Sequence, residues 1–195
     1  MNVHLCLFAI VWFIAVYLFN SLLSRKFRKI DLKSAVLYCT TVAMLGVIAE
    51  LIIGNVYYLI FHEPLWNYTI FPVHMSYTSM YAPVLWAIYG FQIYLLSDII
   101  GSKNISSKLQ LTVIFCIEAI IVEALVNLTF LGVFGKYVYY YFPSDLWHLT
   151  SVQTLPFYLA AGFVIPTTIE VFKRAPVIFS VISISCALAI VFGFR

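Results

Sequence analysis

The chain has 195 residues, of which 64% are hydrophobic and 10% charged, with a formal net charge of +3. Soluble domains are about 45–50% apolar and about 25% charged, so this composition excludes a soluble globular protein. Disordered and collagen-like chains need polar or Gly/Pro-rich composition and are excluded as well. What remains is an all-α, polytopic integral membrane protein. A transmembrane β-barrel requires segments of about ten residues with alternating polarity, whereas the apolar runs here are far longer and continuous.

Six stretches reach the roughly 20 apolar residues of a spanning helix. The first covers 3–23 and is followed by the basic run Arg25-Lys26-Phe27-Arg28-Lys29. No basic residue precedes it and its apolar run is long, so it is expected to be a retained anchor, not a cleaved signal. The second, 34–61, is longer than a bilayer needs and is expected to tilt or extend beyond it. The third, fourth and fifth cover 75–97, 109–134 and 152–172. The sixth, 177–194, follows a turn so short that the last two helices are expected to form a tight hairpin. Residues 1–195 thus form one transmembrane domain.

Six spans place the loops 24–33, 98–108 and 173–176 on one side. They carry nine of the eleven Lys and Arg residues; the other side has only Lys136 and Arg195. The excess of basic residues marks the cytoplasmic side. It predicts both termini on the non-cytoplasmic side of a plasma membrane. The outer connections would be 62–74 and 135–151.

Segments 34–97 and 109–172 read as a possible parallel repeat, a common transporter and membrane-enzyme device. An offset of 73 residues carries Glu50 onto Glu123, Pro83 onto Pro156, Phe61 onto Phe134 and Ala87 onto Ala160.

Three acids fall well inside predicted spans: Glu50, Glu118 and Glu123. A charge at a helix centre costs about 2.5–3.5 kcal/mol on insertion scales. No Lys or Arg lies inside a span to pair with them. They are expected to be protonated, hydrogen-bonded to polar neighbours, or turned to a wet cavity. At 1.5 Å per residue, Glu50 is about 24 Å along its helix and Glu123 about 21 Å along its own, a similar depth. Asn127 shares the face of Glu123; Asn55 lies loosely on that of Glu50. Gly46 and Gly54 flank Glu50 as a stripe that would admit a neighbouring helix. Glu118 lies about 140° from Glu123 around the helix.

Pro83, Pro156 and Pro166 fall inside predicted spans. The first two are expected to bend their helices and open space near the glutamates. Tyr81 and Gln153 are plausible hydrogen-bond partners there. Trp66, Tyr68, Trp147 and the tyrosines from Tyr137 to Tyr141 lie at the outer boundary. They read as an aromatic belt, with some at the mouth of a pocket, where ring faces stabilise a developing cation. The first and sixth helices have no charge at their centres and read as lipid-facing packing.

These residues point to Glu50 and Glu123 as catalytic carboxyls. Asn55, Trp66, Tyr68, Tyr81, Glu118, Asn127, Trp147 and Gln153 are expected to bind substrate. The expected function is a membrane-embedded acid/base enzyme acting on a lipid-soluble, isoprenoid-like molecule. The alternatives are a non-catalytic scaffold or accessory subunit, with the acids as interhelical glue, and a small proton-coupled transporter.

No cofactor is expected, because no nucleotide-binding or magnesium-prenyl motif occurs. His4, His62, His74 and His148 all fall on the outer side, but no H-E-x-x-H spacing is present, so no metal is expected. Cys6, Cys39, Cys116 and Cys186 form no metal-binding or redox motif. Asn67-Tyr68-Thr69 is a glycosylation sequon. Partners are expected to be membrane lipids and a lipid-soluble small molecule. Nucleic acid is not expected, since there is no basic patch on a folded polar surface.

Overall fold

A computed structural model describes residues 3–70, 72–74, 77–101 and 108–193. Met75, Arg195 and most of the predicted loop 98–108, with Lys103, lie outside the described residues. The helices are α1 Val3–Ser24, α2 Leu32–Phe61, α3 Ala82–Gly101, α4 Lys108–Phe134, α5 Leu155–Phe172 and α6 Pro176–Gly193. Five have apolar segments long enough to cross a membrane; the apolar part of α3, Ala82–Ser97, is shorter. The chain is an all-α membrane protein.

Local chemistry sets the ends of these helices. Asp31 caps α2: its carboxylate accepts from Ser34 N at 3.3 Å and Ser34 Oγ at 2.5 Å. At the other end His62 turns left-handed, with φ 59°, and its N–H bonds to Tyr58 O. The third helix starts later than the expected residue 75. Pro83 lies in its first turn, where a missing N–H is harmless, and the preceding Thr78–Ser79 (β3) pairs with Val73–His74 (β2). Pro156 likewise stands in the first turn of α5, after a short 3₁₀ turn, Val152–Thr154. Both prolines therefore start helices and do not bend them, which corrects the sequence reading. Pro166 is inside α5.

The helices pack as two antiparallel hairpins, α2 with α3 and α4 with α5. Each hairpin closes on a glycine. A Cβ on Gly90 would stand 2.6 Å from Tyr38 O, and one on Gly162 2.8 Å from Thr112 O. Gly46 and Gly54 admit something else: the Trp86 ring lies over the first and the Tyr77 ring over the second. That stripe receives aromatic rings, not a helix backbone. On the outside, α1 lies along α3 and α6 along α2. The expected tight α5–α6 hairpin is confined to its turn. Phe172 and Phe179 stack at 4.2 Å across the turn, and α6 then follows α2 instead of α5.

The two outer connections meet. Trp66–Tyr68 (β1) pairs antiparallel with Tyr139–Tyr141 (β4), in the register Trp66↔Tyr141, Asn67↔Tyr140, Tyr68↔Tyr139. Alternation along a strand sends every second side chain to one face. Trp66, Tyr68, Tyr139 and Tyr141 are buried, and Asn67 and Tyr140 are less so. The ribbon thus directs four aromatic side chains at the helices below.

Candidate functional site

Between the two hairpins, under the ribbon, lies a cavity of about 110 Å³. Its walls are mostly apolar, from Ala49 and Ile53 of α2, Leu85 of α3 and Val122 and Val126 of α4. Trp66, Tyr68, Tyr139 and Tyr141 roof it, and Glu50 and Glu123 both border it. Helices α1 and α6 contribute no residue to its lining.

The two carboxyls are held by similar means. Glu50, buried in the middle of α2, accepts at Oε1 from Tyr68 OH at 2.5 Å and from Trp86 Nε1 at 2.8 Å. Its Oε2 is buried as well. The buried Thr78 hydroxyl faces this carboxyl and is a further hydrogen-bonding neighbour of Glu50. Glu123 accepts at Oε1 from Tyr141 OH at 2.6 Å and at Oε2 from Thr150 Oγ1 at 2.5 Å. Tyr158, on the cavity wall, neighbours it. Burial, with the neighbouring carboxylate adding to it, pushes the Tyr68 and Tyr141 phenols well above their ordinary range. Both hydroxyls therefore remain protonated donors at neutral pH.

The rings contact one another across the ribbon. Tyr68 and Tyr139 meet edge to face at 5.6 Å, and Tyr139 and Tyr141 at 5.9 Å. Such pairs add about 0.5–1.5 kcal/mol beyond burial. The result is a stiff aromatic roof over two carboxyls.

Asn127 holds the roof in place. Fully buried, it donates to Tyr139 O at 2.7 Å and Leu149 O at 3.0 Å, and accepts from Val138 N at 2.8 Å. The segment that carries Thr150 is equally constrained. Leu146, Trp147 and His148 have left-handed φ of 47°, 53° and 61°, a conformation that side chains rarely adopt. Asp145 ties this turn down, accepting from Ser151 Oγ at 3.1 Å and Val152 N at 2.8 Å.

Of the expected site residues, the structure brings Glu50, Glu123, Trp66 and Tyr68 to the cavity. It places the others elsewhere. Asn55 is exposed and bonds its own helix at Leu51 O. Tyr81 is buried at the start of α3 and is not part of the lining. Glu118 lies beside Tyr89 and Gln92, off the cavity. Asn127 supports the roof from behind. Trp147 is 79% exposed, as a belt residue would be. Gln153 is exposed and accepts from Tyr57 OH at 2.5 Å.

Residues absent from the expected site are Trp86, Tyr139, Tyr141, Thr150 and Tyr158. One signal for Tyr141 is present in the sequence: it follows Glu123 by the same interval at which Tyr68 follows Glu50. Among the described residues no group of three His, Cys, Asp or Glu side chains is placed to hold a metal ion. No protein family, characterised protein or solved structure matches the chain.

Proposed function

We propose that the protein is a membrane-embedded acid/base enzyme that acts on a lipid-soluble, isoprenoid-like molecule through Glu50 and Glu123. The observation that carries this reading is the presence of both carboxyls on the wall of one largely apolar cavity. An apolar pocket with a few convergent polar groups is the usual form of a small-molecule site. Carboxyls on two facing walls supply an acid and a base to one molecule without metal or nucleotide. The faces of Trp66, Tyr68 and Tyr139 suit a developing carbocation, which ring quadrupoles attract. Isomerisation, hydration and cyclisation of an alkene lipid can each proceed through this combination.

In this reading α3 is the sixth span. The loops 24–33, 98–108 and 173–176 face the cytoplasm of a plasma membrane, and the ribbon closes the cavity on the outer side. The possible repeat 34–97 and 109–172 supplies one carboxyl from each half.

Proton transfer to carbon leaves an isotopic record. Purified protein is incubated in D₂O with an alkene-lipid extract in detergent, and the lipids are read by mass spectrometry. Deuterium should enter a lipid with the wild type and not with Glu50→Gln or Glu123→Gln, both variants remaining folded. Absence of uptake with the wild type would overturn the enzyme reading. Unfolding of both variants would favour a scaffold, and a proton flux in liposomes lost in either would favour a carrier.

A further inference from the structure

A second cavity, of about 170 Å³, lies in the same helical interior, toward the end that carries Lys173. Both cavities are walled by α2, α3, α4 and α5. On α3 the glutamate cavity ends at Tyr89 and the second begins at Ile93. On α4 the second ends at Phe115 and the glutamate cavity begins at Ala119. Four residues of helix rise about 6 Å, so one turn separates the two. Glu170 and Lys173, both exposed, border the second cavity, and Ser97 is on its wall. These polar partners, with room for several waters at roughly 10–15 Å³ each, suit it as a wet vestibule on the basic face.

The partition carries a buried acid that the acid/base reading leaves without a task. Glu118 follows Leu111 and Phe115 on α4 by seven and three residues, so it shares the face that they turn to the vestibule. Its hydrogen-bonding neighbours are Tyr89 and Gln92. Asn20 of α1, fully buried, donates to Gln92 Oε1 at 2.6 Å. An amide has one acceptor oxygen and two N–H donors, so Gln92 is left with its N–H groups for Glu118. Glu118 is thus held on one side and presented to Tyr89 on the other. The Tyr89 ring lines the glutamate cavity, and its hydroxyl donates to Phe115 O at 3.2 Å, on a residue of the vestibule wall. Tyr89 therefore spans the partition.

We propose that Glu118 and Tyr89 form a proton relay that joins the glutamate cavity to the vestibule on the basic face. This rests on the acid/base reading above, in which Glu50 and Glu123 exchange protons in every turnover and need a path to water. The aromatic roof covers the cavity at its other end. A hydronium ion of the vestibule protonates the Glu118 carboxylate and becomes water. The Glu118 O–H bond then breaks and its proton bonds to the Tyr89 oxygen, while the Tyr89 O–H bond breaks and that proton passes to a water or a carboxylate in the cavity. Tyr89 ends as the phenol it began as, Glu118 returns to carboxylate, and one proton has moved. A phenol both donates and accepts, as the step requires.

Trp86 reports on the cavity. Its indole N–H donates to Glu50 Oε1 at 2.8 Å, and its ring is part of the lining. Protein labelled isotopically at the indole nitrogens is placed in nanodiscs and moved into D₂O, and the decay of each indole signal is followed by NMR. Trp147, 79% exposed, is the fast standard. Glu118→Gln keeps hydrogen-bonding groups and loses the carried proton; Tyr89→Phe removes the hydroxyl. Each should slow Trp86 exchange by about tenfold or more, and Glu118→Asp, which retains a carboxyl, should exchange near the wild-type rate. An acid used only as interhelical glue predicts no change in Glu118→Gln, and loosened helices exchange faster. Unchanged or faster exchange in either variant, with the fold confirmed by circular dichroism, therefore overturns the relay. Ser97→Phe, which fills the vestibule and leaves both relay residues in place, should slow exchange as well. It keeps the route testable where a relay variant does not fold, and unchanged exchange there overturns the relay likewise. The readout needs no turnover. Slowed exchange without lipid deuteration counts against the enzyme reading alone, and lipid deuteration with unchanged exchange against the relay alone.

Discussion

Tyr68 and Tyr141 reach their carboxyls over the same distance in sequence, 18 residues back to Glu50 and 18 back to Glu123. Each tyrosine comes from a short strand, and the two strands pair with each other. The roof and the two carboxyls are therefore one mechanical unit. A disturbance of the ribbon should be felt at both glutamates.

Asn127 is the test of that coupling. Its side chain makes three hydrogen bonds that fix β4 and Leu149. Asn127→Ala leaves the buried Val138 N–H without a partner, and each such loss costs about 1–3 kcal/mol. The variant should unfold at lower temperature and be cut faster by protease within 135–151. Unchanged thermal stability and protease resistance would show that the ribbon stands without this clamp.

The glycines divide into those that need to be glycine and those that do not. Gly162→Ala would place a Cβ 2.8 Å from Thr112 O, a backbone atom that cannot swing away. Overpacking of this kind typically costs about 1–3 kcal/mol. Gly132→Ala, in the same hairpin, meets nothing within 4 Å and gains helix propensity of about 1 kcal/mol. Denaturation in detergent should rank the variants Gly132→Ala, wild type, Gly162→Ala from most to least stable.

Asp31 gives a pH dependence whose sign is fixed. Its hydrogen bond from the Ser34 side chain lowers its carboxyl below the ordinary 3.8. A carboxylate of this kind stabilises the folded state fully above the unfolded value, and the contribution fades as pH falls through the lowered folded value. Asp31→Asn keeps a capping oxygen and removes this titration. Melting temperature followed from neutral to acid pH should show a smaller decline for Asp31→Asn than for the wild type, with the two curves parallel above about pH 5.

The orientation of the chain can be read with a membrane-impermeant thiol reagent on intact cells. The four native cysteines lie in helices and are replaced first. A cysteine at Glu63, in the connection after α2, should react from outside. One at Lys29, in the basic connection before α2, should react only after the membrane is opened. The reverse pattern would invert the topology drawn from the Lys and Arg distribution.

The helical membrane class was legible because it depends on composition and run length, which are local. The apolar runs at 3–23, 109–134 and 177–194 agree with α1, α4 and α6 to within about one residue, well inside the usual scatter of helix ends. The offset of 73 between Glu50 and Glu123 is a count along the chain and needs no structure. Both glutamates were singled out by their rarity inside apolar runs, and no three-dimensional information was needed for that.

What the sequence could not decide depended on contacts distant along the chain. A proline in an apolar run reads as a kink, but β3 before Pro83 and the 3₁₀ turn before Pro156 make each the start of a helix. The tyrosines at 139 and 141 read as an interfacial belt because belt and roof have the same composition. Only pairing with Trp66–Tyr68 turns them onto the glutamates. The donors that reach the two carboxyls include Trp86 on Glu50 and Thr150 on Glu123, each far from its glutamate along the chain. Hydrophobic runs specify where a chain lives because burial acts on each residue nearly independently; the geometry of two carboxyls is a cooperative result of pairing and packing, and only the tertiary structure contains it.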